Sequence, residues 1–488
     1  DTILLYPVEE DADAPEGSIR YQFCADCGYL SPESAAECAN CHQTALLPVW
    51  RRALINANGK FDSSCPRCGS AGDLTIMGAK AASLLAALVG QTFSSPFNPD
   101  KKLLAFSDSV QDASHRAGFL TARAWTFSFR TAICSVLAAS NDSCSLSEFS
   151  RLFLDYWKEK TGSAERFAGI FLPPDLEWFE DYEVLKSTGA LPADSDLAEK
   201  LSLRLCWEIA SEFTFRSRIG RTLERTGTAI ASFNPDALER AAVDVASEAA
   251  ERQERFRLVE PSHPEWRRLL WGILYRFKNL GAVNEPSIRA LFEYGSTFPF
   301  QRTRRHMPGF SKRAPHIVTA FSRTNIHESL AAVDKRKTWF EAWTARCAAA
   351  LLPGFAFDAP DENAELLQLA IASLERAGLV SRLLLEKENT GWLIEPASLV
   401  VTQDVVRCRC SVCGGALDVA DADRGLAEGM RCLRSGCRGA YRASDTEASD
   451  YYRNFYRRGE VVRINGREHT GLLGGKERKE LEERFIAG

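Results

Sequence analysis

The sequence predicts a mixed fold class: helices and short β segments in several compact parts, with a long helical middle set between two cysteine-rich stretches. Three observations predict it. Cysteines pair as C-x-x-C near both ends, within residues 24–68 and 408–437. Between them, apolar residues recur at three- and four-residue spacing with charges opposite, the period of an amphipathic helix. Short apolar runs closed by Ser, Asp, Asn or Gly, as at 101–109 and 380–400, have the length and punctuation of strands. With 488 residues, 45% of them hydrophobic, the chain is long enough to fill roughly three cores.

Bulk properties exclude several classes. A formal charge of −5 and a pI near 6.0 argue against a protein that grips nucleic acid with its whole surface, but leave room for a local basic groove. The longest apolar candidate, AASLLAALVG at 81–90, is half the ~20 residues that a membrane span needs, so no membrane partner is expected. The opening DTILLYPVEEDADAPEG has neither an initiator Met nor the basic-then-apolar pattern of a signal peptide, so the chain reads as cut from something longer and cytoplasmic. Fifteen cysteines, mostly in C-x-x-C pairs without a secretory leader, point to metal in a reducing compartment rather than to disulfides.

In chain order, residues 1–80 form the first expected module. FCADCGYLSPESAAECANC sets Cys24, Cys27, Cys38 and Cys41 in the spacing C-x2-C-x10-C-x2-C, a complete tetrahedral thiolate set for structural zinc. Gly28 suits the positive φ that such a knuckle needs. A third knuckle, Cys65 and Cys68 in CPRCG, either completes a site with one of the first two pairs or binds nothing in this segment. Residues 81–135 follow. KKLLAFSDS reads as a lysine-led buried parallel strand that ends in Ser107, Asp108 and Ser109, with the helix VQDASHRAGFLTARAW after it. Strand ends and helix starts of this kind hold ligands in open α/β sheets, although Asp108 or Ser109 taken alone reads as a helix cap.

Residues 136–360 read as a helical domain, with packed helices at 197–213, 236–259 and 265–281 whose Trp and Phe residues follow the apolar stripe and belong to the core. QRTRRHMPGFSKRAPH at 301–316 is the best basic loop, equally suited to phosphate contacts and to plain solvation. Residues 361–404 give a helix ending at Ala377-Gly378 and two β runs around KENTG, which resembles the second half of a winged helix; the acidic LEKEN at its tip favours packing over DNA contact. DENA at 361–364 reads as an acidic helix start. Residues 405–445 carry a second zinc ribbon, Cys410, Cys413, Cys432 and Cys437 in C-x2-C-x18-C-x4-C, with Cys408 spare. Cys134, Cys144, Cys206 and Cys347 read as small hydrophobes.

Residues 446–488 include GEVVRINGREHTGLLGGKERKELEERF, a β-like run, a His-Thr-Gly turn, and a helix with Arg478, Glu482 and Phe485 at regular spacing. This pattern resembles the second RecA-like domain of superfamily-two nucleic-acid helicases. LLAFSDSVQDA is similar to motif IV of the large bacterial DEAD/DEAH-box helicases of the YprA/MrfA group, and the placement of the cysteines resembles long members of that group, including helicases of the Druantia and DISARM phage-defence systems. The resemblance covers residues 101–130 and 460–488. It implies part of a RecA-like α/β domain interrupted by a helical insertion, and a groove that follows the phosphates of a single DNA strand. Its implied contacts are Ser107, Asp108, Ser109 and Gln111, with His469, Thr470 and Gly471 as a second set. His115, Arg116 and Arg123 extend that groove, and Arg116 suits an internal ion pair equally well.

The departures from the family bear on activity. No G-x4-G-K-[ST] loop is present, and GGKERK at 474–479 lacks the first glycine and the hydroxyl. The DExx and arginine-finger motifs are missing too, so ATP and Mg are expected only in the intact parent and the chain alone is expected to be inactive. The insertion is expected to meet DNA or a partner protein beside the motor. The alternative is a non-catalytic zinc scaffold. Hydrolase chemistry has no support, because the seven histidines are scattered and form no H-E-x-x-H.

Overall fold

The computed structural model describes residues 3–7, 19–53, 81–95, 97–104, 110–140, 143–215, 222–289, 315–320, 327–331, 338–353, 360–385, 390–434, 436–444, 451–467, 469 and 473–487. The chain forms two units: residues 1–78 together with the loop 434–438, and residues 79–433 together with 439–488. In the smaller unit, four strands form an antiparallel sheet in the order Ile3–Pro7, Leu46–Ala53, Ile19–Cys24, Leu30–Pro32. Within residues 1–78 the buried apolar side chains among the described residues are few: Cys24, Cys38 and Val49.

The larger unit is built on helices. The three expected from periodicity are present as Leu197–Thr214, Pro235–Arg252 and Pro264–Asn279. The second stops short of the predicted end, because the chain turns at Gln253 into a short 3-10 helix, Glu254–Leu258. Their aromatic residues are core: Trp207, Phe213, Phe256, Trp266, Trp271 and Phe277 are all buried. Local chemistry sets several helix starts. Ser145 and Glu148 form a reciprocal capping box ahead of Leu146–Thr161, and Thr338 and Glu341 do the same ahead of Trp339–Leu351. Gly272 lets that last helix approach Pro264–Asn279, since a Cβ there would overlap the ring of Trp343. Cys134 and Cys347 are buried as expected, whereas Cys144 and Cys206 are half-buried.

The helix Pro360–Arg376 begins with Asp361 and Glu362, as the DENA reading expects, and leads into the antiparallel hairpin Val380–Leu384 and Thr390–Ile394. This is the helix and hairpin that the pattern predicts. The hairpin does not stand free: its second strand also pairs with Ile317–Thr319, which pairs in parallel with His327–Ser329. Leu399–Thr402 sits between Cys144–Ser145 and Ile230–Phe233, and Val405–Cys410 between Ala416–Ala420 and Tyr441–Ala443. The tip at 386–389 and most of the basic loop at 301–316 lie outside the described residues.

One expectation fails in the part that is described. Residues 101–104 form no strand, and Leu103 and Leu104 are 43% and 65% exposed, not buried. A buried parallel strand needs a neighbour on each side, and the one parallel pair of named strands among the described residues lies elsewhere, at Ile317–Thr319 and His327–Ser329.

The two ends of the larger unit meet along the helix Val110–Ala139. Helix Tyr451–Arg458 places Tyr452, Phe455 and Tyr456 around Phe127, and Ile464 packs with Val89 and Ala124. Val462 N–H donates to Ser128 Oγ at 2.9 Å, Gly466 N–H to Thr121 Oγ1 at 2.9 Å, and Glu460 N–H to Ser94 O at 2.9 Å. Deeper in, Arg130 Nε donates to Glu212 at 2.9 Å, and the same carboxylate accepts Leu223 N–H at 2.8 Å. Both side chains are buried, so each charge is satisfied by the other.

Candidate metal centres and nucleic-acid interface

The first cysteine set is assembled by two knuckles of the same construction. Cys24 closes the strand Ile19–Cys24; its carbonyl accepts Gly28 N–H at 2.9 Å and its N–H donates to Tyr29 O at 3.0 Å. Fourteen residues on, the Cys38 carbonyl accepts His42 N–H at 2.9 Å and its N–H donates to Gln43 O at 2.8 Å. Each ring closes only if the residue four after the first cysteine takes positive φ, as Gly28 (73°) and His42 (58°) do. The sequence pointed to Gly28; His42 carries no glycine signal and was missed. Cys410 repeats the construction, with Gly414 at 65°, Gly414 N–H on the Cys410 carbonyl at 3.0 Å, and Cys410 N–H on Gly415 O at 2.9 Å.

The ligand atoms of Cys24, Cys27, Cys38 and Cys41 all lie within 4.8 Å of one another, and so do those of Cys410, Cys413, Cys432 and Cys437. Sγ–Sγ separations of 3.5 Å for Cys24–Cys41 and Cys27–Cys38, and 3.7 Å for Cys413–Cys432, match the edge of about 3.8 Å of a thiolate tetrahedron around zinc. Both donor sets are closed and all-sulfur, so they fit structural rather than catalytic zinc. Backbone N–H groups support the sulfurs: Asn40 N lies 3.4 Å from Cys38 Sγ, and Val412 N lies 3.5 Å from Cys410 Sγ. In the first set, the side-chain amide of Asn40 and the backbone amide of Tyr29 pull the Cys27 thiol down to about 6. The Gln43 amide favours a Cys41 thiolate, but Cys27, desolvation and the other thiols outweigh it and push Cys41 up to about 12.

The second set is braced by features that spacing does not reveal. Gly439 passes so close to Cys410 that a Cβ would overlap its Sγ. Tyr441 Oη lies 3.7 Å from Cys432 Sγ and accepts Leu433 N–H at 3.3 Å. The loop 434–438 follows Leu433 and carries Cys437 into the group. Cys408, two residues before Cys410 on the same strand face, is buried but stands outside the four. Cys65 and Cys68 lie outside the described residues.

The sequence-predicted phosphate contacts fall in three groups. Ser107, Asp108, Ser109, Thr470 and Gly471 lie outside the described residues. Gln111, His115 and Arg116 lie in the first turns of Val110–Ala139. His469 is half-exposed, with Nε2 2.9 Å from Glu482 of the helix Gly475–Ala487. Arg123, expected to extend the groove, is half-buried; desolvation and the nearby Arg130 lower its pKa, against the pull of Tyr452 and Tyr456. Among the described residues no helix is long and apolar enough to cross a membrane.

Compared with known proteins, the chain matches no family model, no curated protein and no solved structure. Fold and sites together define a mixed α/β protein, mostly helical, with small sheets and two four-cysteine clusters that fit zinc.

Proposed function

We infer that the chain works within an ATP-driven DNA helicase or translocase of superfamily two, where it supplies nucleic-acid backbone contacts and zinc-stabilised accessory surfaces, with phage defence as a setting. One observation carries this reading. The two stretches that bear the helicase-like patterns are more than three hundred residues apart, yet they run side by side in one unit: Lys101 Nζ pairs with Glu460 at 2.7 Å, Lys102 Nζ donates to Ile486 O at 2.8 Å, and Gly466 is bonded to Thr121. A domain interrupted by a long insertion has this construction. In the reading, RecA-like parts flank residues 136–360, the winged-helix-like 361–404 packs against protein, and His469, held by Glu482, lines the path of a single strand. Hydroxyls, amides and an imidazole on that path suit phosphate contacts that ignore base identity, as a translocating motor requires.

A zinc scaffold without motor chemistry is the second reading, favoured by the exposed, irregular residues 101–104. Two measurements separate them. Single-stranded DNA should bind the chain independently of sequence and weaken with salt, and His469→Ala should weaken it several-fold. The gene product that contains this chain should hydrolyse ATP faster with single-stranded DNA, and the chain alone should not. No binding even at low salt, together with no turnover in the gene product, leaves the scaffold.

A further inference from the structure

A second basic feature lies mostly in the helical insertion and is closed by residues of the C-terminal helicase-like stretch. The helices Leu146–Thr161, Ala164–Phe171 and Glu180–Thr188 converge with the segment around Arg463 on an open cavity of about 710 Å³. Its volume lies within the range of ligand clefts, roughly 300–1,000 Å³. Half-buried Ile170 and the small exposed parts of Trp157, Tyr182 and Leu185, each under 9% exposed, supply apolar wall, and Lys160, Arg166, Lys186 and Arg463 supply four cations. Glu165 is the one carboxylate on the lining. Its own amide, the Ser163 hydroxyl and the Leu191 amide hold that carboxyl below its ordinary range, so it is occupied with the local backbone.

The cations differ in what they already hold. Arg463 is buried on Glu177 at 2.6 Å, and Lys186 meets Glu183 at 2.7 Å. Lys160 rests on the rings of Tyr156 and Trp157, with Nζ 5.2 and 4.9 Å from their centroids, and Arg166 is exposed at the start of its helix. Neither Lys160 nor Arg166 has a carboxylate within salt-bridge distance among the described residues. An apolar wall with two available cations on its rim suits a ligand that alternates flat apolar groups with phosphates. The cavity is also tied by chain to the proposed strand path: Arg463 and Asn465 line it, and His469 follows within a few residues.

We propose that this cavity is a second nucleic-acid subsite, which seats a nucleotide of single-stranded DNA with its base on the apolar wall and its phosphates on Lys160 and Arg166. It rests on the nucleic-acid reading above and extends it from the His469 path into the helical insertion. Base-wall contact and phosphate contact at one place give sequence-tolerant binding.

The test is fluorescence anisotropy of labelled oligothymidylate against the full 488-residue chain over a salt series. The double variant Lys160→Glu/Arg166→Glu should weaken binding about tenfold or more and reduce the salt slope by roughly 1 to 2, the loss of two single-strand phosphate contacts. Arg240→Glu/Arg257→Glu, a reversal at two exposed residues of the helix Pro235–Arg252 and the short 3-10 helix after it, is the charge-matched control and should change little. Should the double reversal disturb folding by circular dichroism, Lys160→Gln/Arg166→Gln gives the same slope change with a smaller perturbation. Unchanged affinity and slope in the folded variants, with His469→Ala still weakening binding, overturns the subsite and leaves the helicase reading intact. Wild-type chain that binds no oligothymidylate overturns both. Displacement of the oligonucleotide by polyglutamate at equal charge concentration overturns nucleic acid as the ligand and makes the cavity a site for acidic protein.

Discussion

The two cysteine clusters use the same knuckle but stand on different foundations. Of the three buried apolar side chains described within residues 1–78, two are the cluster's own Cys24 and Cys38. Among the described residues there, the thiolate cluster is the main buried feature, and a zinc ion held by it would supplement a small apolar core, as small modules require. The second cluster sits among Met430, Leu417, Val419 and Tyr441, all buried. It is tied to long helices by Trp339 Nε1 on Leu433 O at 2.9 Å, Arg346 Nη1 on Cys432 O at 2.8 Å, and Arg268 Nε on Leu426 O at 3.0 Å. The lesson is that one knuckle serves two settings: a zinc ion in the first cluster would hold together a module with few buried apolar side chains among its described residues, and in the second it would finish a surface that packing has largely built.

The largest effect that can break this contrast is metal removal. Native mass spectrometry should count two zinc ions per chain. A chelator, or Cys38→Ser, should abolish amide protection across residues 19–53, because binding free energy there is folding free energy. Across 405–444 protection should fall only in part, while the helices Pro264–Asn279 and Trp339–Leu351 keep theirs. Gly439→Ala should expel the second zinc alone. Equal collapse around both clusters would erase the distinction.

Next in size is the buried pair of the larger unit. Glu212→Ala leaves Arg130 buried without its carboxylate and Leu223 N–H without its acceptor, and should cost about 3–5 kcal/mol in urea unfolding. The folded fraction of the variant should still carry two zinc ions; loss of one would tie the second cluster to the deep core more tightly than the contacts imply.

Glu285 gives a pH-dependent effect of at most comparable size. Burial pushes its carboxyl up to about 7, although Ser287 N–H and Ile288 N–H donate to it at 2.9 and 3.3 Å. The folded state therefore holds this proton more tightly than the unfolded chain does. The contribution to stability is full below the ordinary carboxyl value of 4.5 and is lost as pH rises through about 7. Glu285→Gln should remove that dependence and stabilise the protein above pH 7 by up to about 3 kcal/mol, read by urea unfolding on either side of neutrality. An unchanged pH profile would show that the carboxyl is not buried as drawn.

The smallest effect sharpens the picture of the first cluster. Arg20 and Glu33 pair at 3.3 Å on its surface with both side chains well exposed. Glu33→Gln should change its thermal stability by less than about 1 kcal/mol, as exposed pairs do. A larger loss would mean that the small sheet, and not the metal alone, holds the module together.

Both ligand sets and the main helices were legible in the sequence because the forces behind them are local. A knuckle closes through hydrogen bonds within six residues, so C-x-x-C spacing announces it, and apolar period announces a helix. The supports were not legible. Gly439 and Tyr441 matter through one close approach and one hydroxyl, and His42 adopts positive φ without being glycine. Leu103 and Leu104 were read as the start of a buried strand because hydropathy records what a residue prefers, while burial depends on which strands lie beside it.

By itself the sequence determined the two four-cysteine ligand sets, the aromatic helix cores and the helix and hairpin at 360–394. Each follows from short-range spacing. Tertiary structure alone decided that residues 81–139 and 451–486 lie together, that Leu399–Thr402 joins Cys144–Ser145 to Ile230–Phe233, and that Lys160, Arg166, Lys186 and Arg463 gather at one cavity. These are pairings between residues far apart in the chain, chosen by the total area buried and the polar groups satisfied, and no local period encodes them.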